Sequence, residues 1–173
     1  MQASAALSTE RLTLRRLTEA DIPALVAGLN DYAVSKWLTV VPFPYSEADA
    51  RDFLTYLEQR GAYDGFGIHA PEGLVGVVGI DASLGYWLAR RAHGKGYMTE
   101  AAGALVDHYF AATGANELGS GYFEGNAASR RVLTKLGFKP CGEEHVKSRA
   151  QGIEVKLKKL CLARADWEAG LEQ

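Results

Sequence analysis

The chain has 173 residues, 47% of them hydrophobic and 23% charged, with a formal net charge of −2. That length and balance fit one globular domain with a sizeable core, and the slight negative charge argues against a bulk nucleic-acid binder, which would be basic. No apolar run approaches the roughly 18 to 20 residues of a membrane span.

The opening MQASAALSTE lacks a basic segment followed by an apolar run, so it does not read as a signal peptide. "RLTLRRL", Arg11 to Leu17, alternates leucine with polar residues and predicts a half-buried strand. Thr18 with Asp21 forms a capping box that opens a helix through Asn30, and Ser46 with Asp49 repeats the signature before "ARDFLTYLEQR". Between these helices "TVVPFPYS" carries Pro42 and Pro44 and reads as an extended loop. "GFGIHA" and "LVGVVGI" are short strands parted by the turn Pro71-Glu72-Gly73, and a tight connection at Asp81 to Ser83 leads into "LGYWLAR". A helix follows from about Tyr97 to Ala112, with Met98, Ala101, Ala102, Leu105 and Tyr109 on its apolar face. "ELGSGYF" reads as another strand, "NAASRRVLTKLGF" as a short helix closed by Gly137, and "VKLKKLCLARADW" as a strand continuing a period of two from Ile153. The order predicts an α+β fold, with a mixed, largely antiparallel sheet and helices on its faces.

Cys141 and Cys161 read as two buried, reduced thiols of a cytoplasmic protein. The four histidines show no metal-ligand spacing, so no metal is expected.

Chemistry concentrates at "RRAHGKGYMTEA", Arg90 to Ala101. A helix start leaves four backbone N–H groups without intrahelical partners and carries partial positive charge. Glycines before it let a ligand approach the backbone closely. Strand, glycine turn and helix therefore build an anion nest, with Arg90, Arg91, His93 and Lys95 adding charge suited to a di- or triphosphate. The P-loop spacing is absent, and Thr99 stands where a dinucleotide fingerprint needs its third glycine. What remains is R-x-x-G-x-G from Arg91 through Gly94 to Gly96.

That turn resembles the pyrophosphate loop of the GNAT superfamily of acetyl-coenzyme A-dependent N-acetyltransferases. "LGYWLARRAHGKGYMTEA" followed by "NAASRRVLTKLGF" is similar to its ribosomal-protein-alanine acetyltransferase branch, through Asn126, Ser129, Gly137 and Phe138, and "TERLTLRRLTEAD" resembles the start of that branch. The likeness spans roughly residues 8 to 164 of one acetyltransferase domain covering 1–173. It implies a splayed central sheet that admits coenzyme A (CoA) between two parted strands. The strand from Tyr86 through Leu88, Ala89 and Arg90 would hydrogen-bond the pantetheine arm. The N–H groups of His93, Gly94, Lys95, Gly96, Tyr97 and Met98 would cradle the pyrophosphate, with Arg91 or Lys95 near phosphate. Asn126 would touch pantetheine, and Ser129 would lie near the thioester sulfur. Many superfamily members place a tyrosine seven residues after this asparagine, where this chain has Leu133.

Attack of an amine on a thioester needs a neutral nucleophile, donors for the oxyanion and a hydrogen for the leaving sulfur. Exposed strand N–H groups suit the oxyanion, and Ser129 is the candidate donor to sulfur. Glu124 and Asp81 are candidate bases acting through water. Tyr86, Trp87 and Tyr122 are candidate acceptor contacts, while Glu100 reads as structural near a helix start. Lys147, Arg149, Lys156, Lys158 and Lys159 make either a solvated hairpin face or a docking surface for an acidic partner. The expected acceptor is a primary amine, on a protein N-terminus or a small molecule, and the protein a monomer or homodimer. A non-catalytic CoA sensor and a nucleotide-binding domain are the competing functions.

Overall fold

A computed structural model describes residues 6–173. The first residues, on which the reading of the N-terminus as no signal peptide partly rests, lie outside the described residues.

β1 (Leu7–Ser8), β2 (Thr13–Arg16), β3 (Phe66–Ala70), β4 (Gly73–Ile80) and β5 (Leu84–Leu88) form an antiparallel sheet in chain order. β6 (Glu117–Phe123), β7 (Lys139–Ser148) and β8 (Ile153–Ala163) form a second, antiparallel sheet with β8 central. β4 explains why the first sheet is covered on both faces. Its run "LVGVVGI" is buried throughout, Val75, Val78 and Ile80 in one core and Leu74 and Val77 in another. α1 (Ile22–Leu29) and α3 (Glu47–Glu58) cover the second core, while α4 (Tyr97–Ala112) buries Met98, Ala101, Ala102 and Leu105 in the first. The expected mixed α/β architecture, with helices on both faces, is the one observed.

Both capping boxes form. The Thr18 N–H donates to the Asp21 carboxylate at 2.8 Å and opens a 3-10 turn that leads into α1. Ser46 and Asp49 bond reciprocally at the start of α3. After α1 the chain adds a one-turn helix, α2 (Tyr32–Ser35), capped by Asp31, whose carboxylate accepts from the Ala33 N–H at 3.1 Å.

Three expectations are corrected. β5 stops at Leu88 instead of running through Arg90, because Arg90–Ala92 coil into a 3-10 turn and the Arg90 guanidinium reaches Asp31 at 2.7 Å. "RADW" does not extend β8, which ends at Ala163. The chain turns into α6 (Arg164–Leu171), and Arg164 donates to the carbonyls of Phe110, Thr113 and Ala115 around the end of α4. Cys141 and Cys161 are not reduced buried thiols but a disulfide that clips β7 to β8, with Cα atoms 5.9 Å apart and Cys141 exposed. A register shift between Pro140 and Gly142 brings the sulfurs together, and nothing in the local sequence announces it.

The crosslink closes a loop of 20 residues. Reduction is therefore expected to cost about 3 kcal/mol on the chain-entropy account of such a loop. Urea unfolding with and without a dithiol, and of Cys141→Ser, measures it. A midpoint that does not move shows that the strand ladder alone holds the hairpin.

Among the described residues no helix is long and apolar enough to cross a membrane, and no group of three His, Cys, Asp or Glu side chains is placed to hold a metal ion.

Candidate active site

β5 and β6 run parallel but touch only at their starts. Ser83 bridges Gly119, and the Ser120 hydroxyl donates to the Leu84 carbonyl at 2.8 Å. Beyond that point, among the described residues, β5 pairs only with β4, and β6 only with β8. The two sheets therefore part like an opened hinge.

The register decides which backbone groups face the split. The Ala89 N–H donates to the Val75 carbonyl at 2.8 Å, so Trp87, two residues back, also turns its N–H and carbonyl toward β4. Tyr86 and Leu88 turn theirs toward the split. The Leu88 carbonyl is taken by His93, whose Nε2 sits 2.8 Å away and donates, since a carbonyl only accepts. The edge N–H groups of Tyr86 and Leu88 remain presented to the cleft, where they can bind the carbonyl of an extended ligand or a developing oxyanion.

Side chains on β5 alternate. Trp87 goes to the α1 face and lies so close to Gly28 that a Cβ there would fall 2.7 Å from the indole. Tyr86 goes to the α4 face and crosses the split. Its hydroxyl lies 2.8 Å from the Ser129 Oγ at the start of α5 (Ala127–Lys135). Burial pushes the Tyr86 phenol up to about 12, so it is neutral across the working range. Asn126 caps α5, its Oδ1 accepting from the Ser129 N–H at 3.3 Å. Tyr122 packs partly buried against the main core.

The glycine turn follows β5. Gly94 and Gly96 have φ of 78° and 77°, the left-handed region that side chains resist. Among the described residues, no backbone carbonyl takes the N–H groups of Gly94, Gly96, Tyr97 or Met98. They make a concave set of donors at the positive end of a 16-residue helix. The cations around them are largely engaged elsewhere. Arg90 holds Asp31, Arg91 donates to the Leu74 carbonyl at 2.8 Å, and Lys95 pairs with Glu72 at 3.3 Å. Arg11, missed by the sequence reading, holds the turn from behind. It donates to the Lys95 carbonyl at 2.8 Å, pairs with Glu100 at 3.3 Å and stacks over the Tyr97 ring. Glu100 is thus a structural partner, and the nest is made of backbone more than of side-chain charge.

Of the two candidate bases, Glu124 lines an open cleft of about 380 Å³ with Lys36, Trp37, Gln151, Val155 and Lys156, and has Lys158 at 3.7 Å. Asp81 is not brought to the split. It lies beyond the Ser83 bridge and pairs with Arg60. Leu133 is fully buried in the main core. On the hairpin, Lys156 and Lys158 pair with Glu143, and Lys159 with Glu144. Cross-strand carboxylates thereby neutralise most of the charge that the sequence offered as a docking surface.

A sheet that parts beside a glycine turn at a helix start is the arrangement that the resemblance to the acetyltransferases implies, and sequence comparison shows the family. The Acetyltransferase (GNAT) domain model matches residues 11–139, and the chain belongs to that family as an N-acetyltransferase. It is 28% identical over 166 residues to the uncharacterized N-acetyltransferase p20 of Bacillus licheniformis, covering 87% of this chain and 93% of the relative. Its fold is similar to that of RimL, a ribosomal L7/L12 alpha-N-protein acetyltransferase solved with CoA, with a TM-score of 0.75, 22% identity, and 92% and 98% of the two chains covered. It is similar also to a Salmonella typhimurium acetyltransferase that modifies the N-terminal serine of L7/L12, with a TM-score of 0.74, 22% identity, and 90% and 96% covered.

Proposed function

We propose that the protein, acting as one domain over its 173 residues, transfers acetyl from acetyl-CoA to the α-amino group of a polypeptide by direct attack of the amine on the thioester. The observation that carries this reading is the free β5 edge leading straight into the two left-handed glycines. One end of the split offers strand N–H groups to an amide-bearing arm, and the other offers a nest to a pyrophosphate. Gly94 has open space where a Cβ would stand, so a ligand can reach the backbone. The residues present fit CoA.

In this reading the Tyr86 and Leu88 N–H groups hold the arm and the oxyanion, and Asn126 fixes the first turn of α5. Ser129 gives a hydrogen bond to the sulfur as it leaves. Glu124 takes the proton of the attacking amine through water, from the cleft where the acceptor enters. That cleft is open and bounded by α2 and the β7–β8 hairpin, which the Gln151 side chain ties to the Lys36 carbonyl at 2.7 Å. An open cleft admits a chain end, and RimL, with the same fold, acts on a protein α-amine.

Thiol release from acetyl-CoA tests the reading, with peptides beginning Ser, Ala or Met set against a polyamine and an aminoglycoside. Release with the peptides is the expected result. Saturable CoA binding without release for any amine identifies a non-catalytic sensor instead, and release with the small amines alone reassigns the acceptor. Ser129→Ala is expected to lower kcat roughly 10- to 100-fold while leaving the KM for acetyl-CoA within about twofold. An unchanged kcat removes its role.

A further inference from the structure

The cross-split contact between Tyr86 and Ser129 joins the two walls of the cleft and has no part in the reading above. Tyr86 stands on β5 and Ser129 on α5, 43 positions apart in the chain, with their hydroxyl oxygens at 2.8 Å. We propose that Tyr86 is a positioning residue that donates to the Ser129 Oγ and so turns the serine O–H into the split, toward the sulfur of the acyl donor. This rests on the assignment of Ser129 as the donor to sulfur.

A serine hydroxyl has one hydrogen and two lone pairs. If Ser129 gave its hydrogen to Tyr86, the phenol would turn to the Ser129 carbonyl, at 3.4 Å, and the pair would keep acceptors but no hydrogen to donate to a ligand. The shorter contact, at 2.8 Å, runs to the Oγ. With the phenol as donor the serine hydrogen is free, and among the described residues the Oγ has no second partner. Asn126 accepts from the Ser129 N–H and holds its backbone, and the contact with Tyr86 sets the direction of its hydroxyl. Because burial keeps the phenol neutral, it is a donor throughout the range in which a thiol ionises, near 8.5.

The electron balance follows. As the C–S bond breaks, its electron pair goes to sulfur, which accepts a hydrogen bond from Ser129. No proton leaves Tyr86, since a phenol this weakly acidic holds its proton against a thiolate. The new N–C bond frees one amine proton, which passes through water to Glu124 and on to solvent, and the departing thiolate takes one proton from solvent, so the sum balances.

The thiol of bound CoA reports this without any acceptor. Its ionisation is read by thiolate absorbance in the complex, with ligand-free protein subtracted. Both cysteines of the chain are joined in the disulfide and contribute no thiolate. In the wild type, the bound thiol is expected to ionise about one unit below free CoA, through hydrogen bonding to the charged form. Ser129→Ala returns it to the free value, and Ser129→Thr, which keeps a hydroxyl, retains the lowered one. Tyr86→Phe moves it at least halfway back, and Y86F with S129A together moves it no further than S129A alone. A wild-type value in Y86F, or additive shifts in the double variant, overturns the role of Tyr86 while leaving that of Ser129. A wild-type value in S129A overturns the Ser129 assignment itself. CoA affinity measured alongside is expected to stay within about threefold in Y86F. A tenfold loss would assign Tyr86 to packing and overturn the proposal.

Discussion

Replacing Gly94 or Gly96 with valine is expected to weaken CoA binding by about 100-fold or more while the thermal midpoint moves by only a few degrees. Two costs add. Each position has a left-handed φ, 78° and 77°, which costs an L residue roughly 1–2 kcal/mol and a β-branched one more. The turn then relaxes toward ordinary angles and rotates its N–H groups away from a common centre, which removes several charge-assisted hydrogen bonds of about 1.5–3 kcal/mol each. The fold itself has little to lose. A Cβ at Gly94 meets nothing within 4 Å, and one at Gly96 meets only the flexible end of Arg11 at 3.4 Å. Calorimetric titration of CoA and a thermal melt on the same samples separate the effects. An unchanged affinity in either variant would move the phosphate site elsewhere, and a collapsed melt would mean that the turn is a folding element first.

The same contrast between local and distant causes marks how far the sequence could be read. α4 was placed at Tyr97 to Ala112 and β6 at Glu117 to Phe123, because apolar spacing and flanking turns are written into neighbouring residues. The capping boxes were readable for that reason too. The glycine turn could be identified as an anion site because a helix start and two glycines suffice to make one. What stayed hidden depends on residues far apart. Arg90 leaves the strand for Asp31, and Arg164 bends the chain into α6 by holding the carbonyls at the end of α4. The disulfide depends on a register shift, and the Tyr86–Ser129 contact on two elements that meet only in three dimensions. Side-chain charge near the turn was overrated for the same reason. Each cation was visible in sequence, but Asp31 and Glu72, which engage two of them, were not recognisable as partners.

Gly76→Ala tests whether the β4–β5 contact holds the site together, and it is expected to cost about 3 kcal/mol or more. A Cβ at Gly76 would stand 2.2 Å from the Trp87 carbonyl oxygen and 3.1 Å from the Leu88 Cα. Both are backbone atoms, so no side-chain rotation relieves the overlap, and β5 itself has to move. β5 is laddered on one side only, because its other edge opens into the split. Its displacement shifts the Tyr86 and Leu88 N–H groups and pulls Tyr86 from Ser129 at the same time. For a chain of this size the destabilisation corresponds to a fall of roughly 6–12 °C in Tm, and the fraction still folded is expected to bind CoA at least about tenfold more weakly. Gly85→Ala is the matched control, one strand over, where a Cβ meets nothing within 4 Å. It is expected to change Tm by no more than about 2 °C, since an open strand position tolerates a methyl group. Equal melts for the two variants would show that β5 shifts without cost and that the close approach of the strands is not what sets the split.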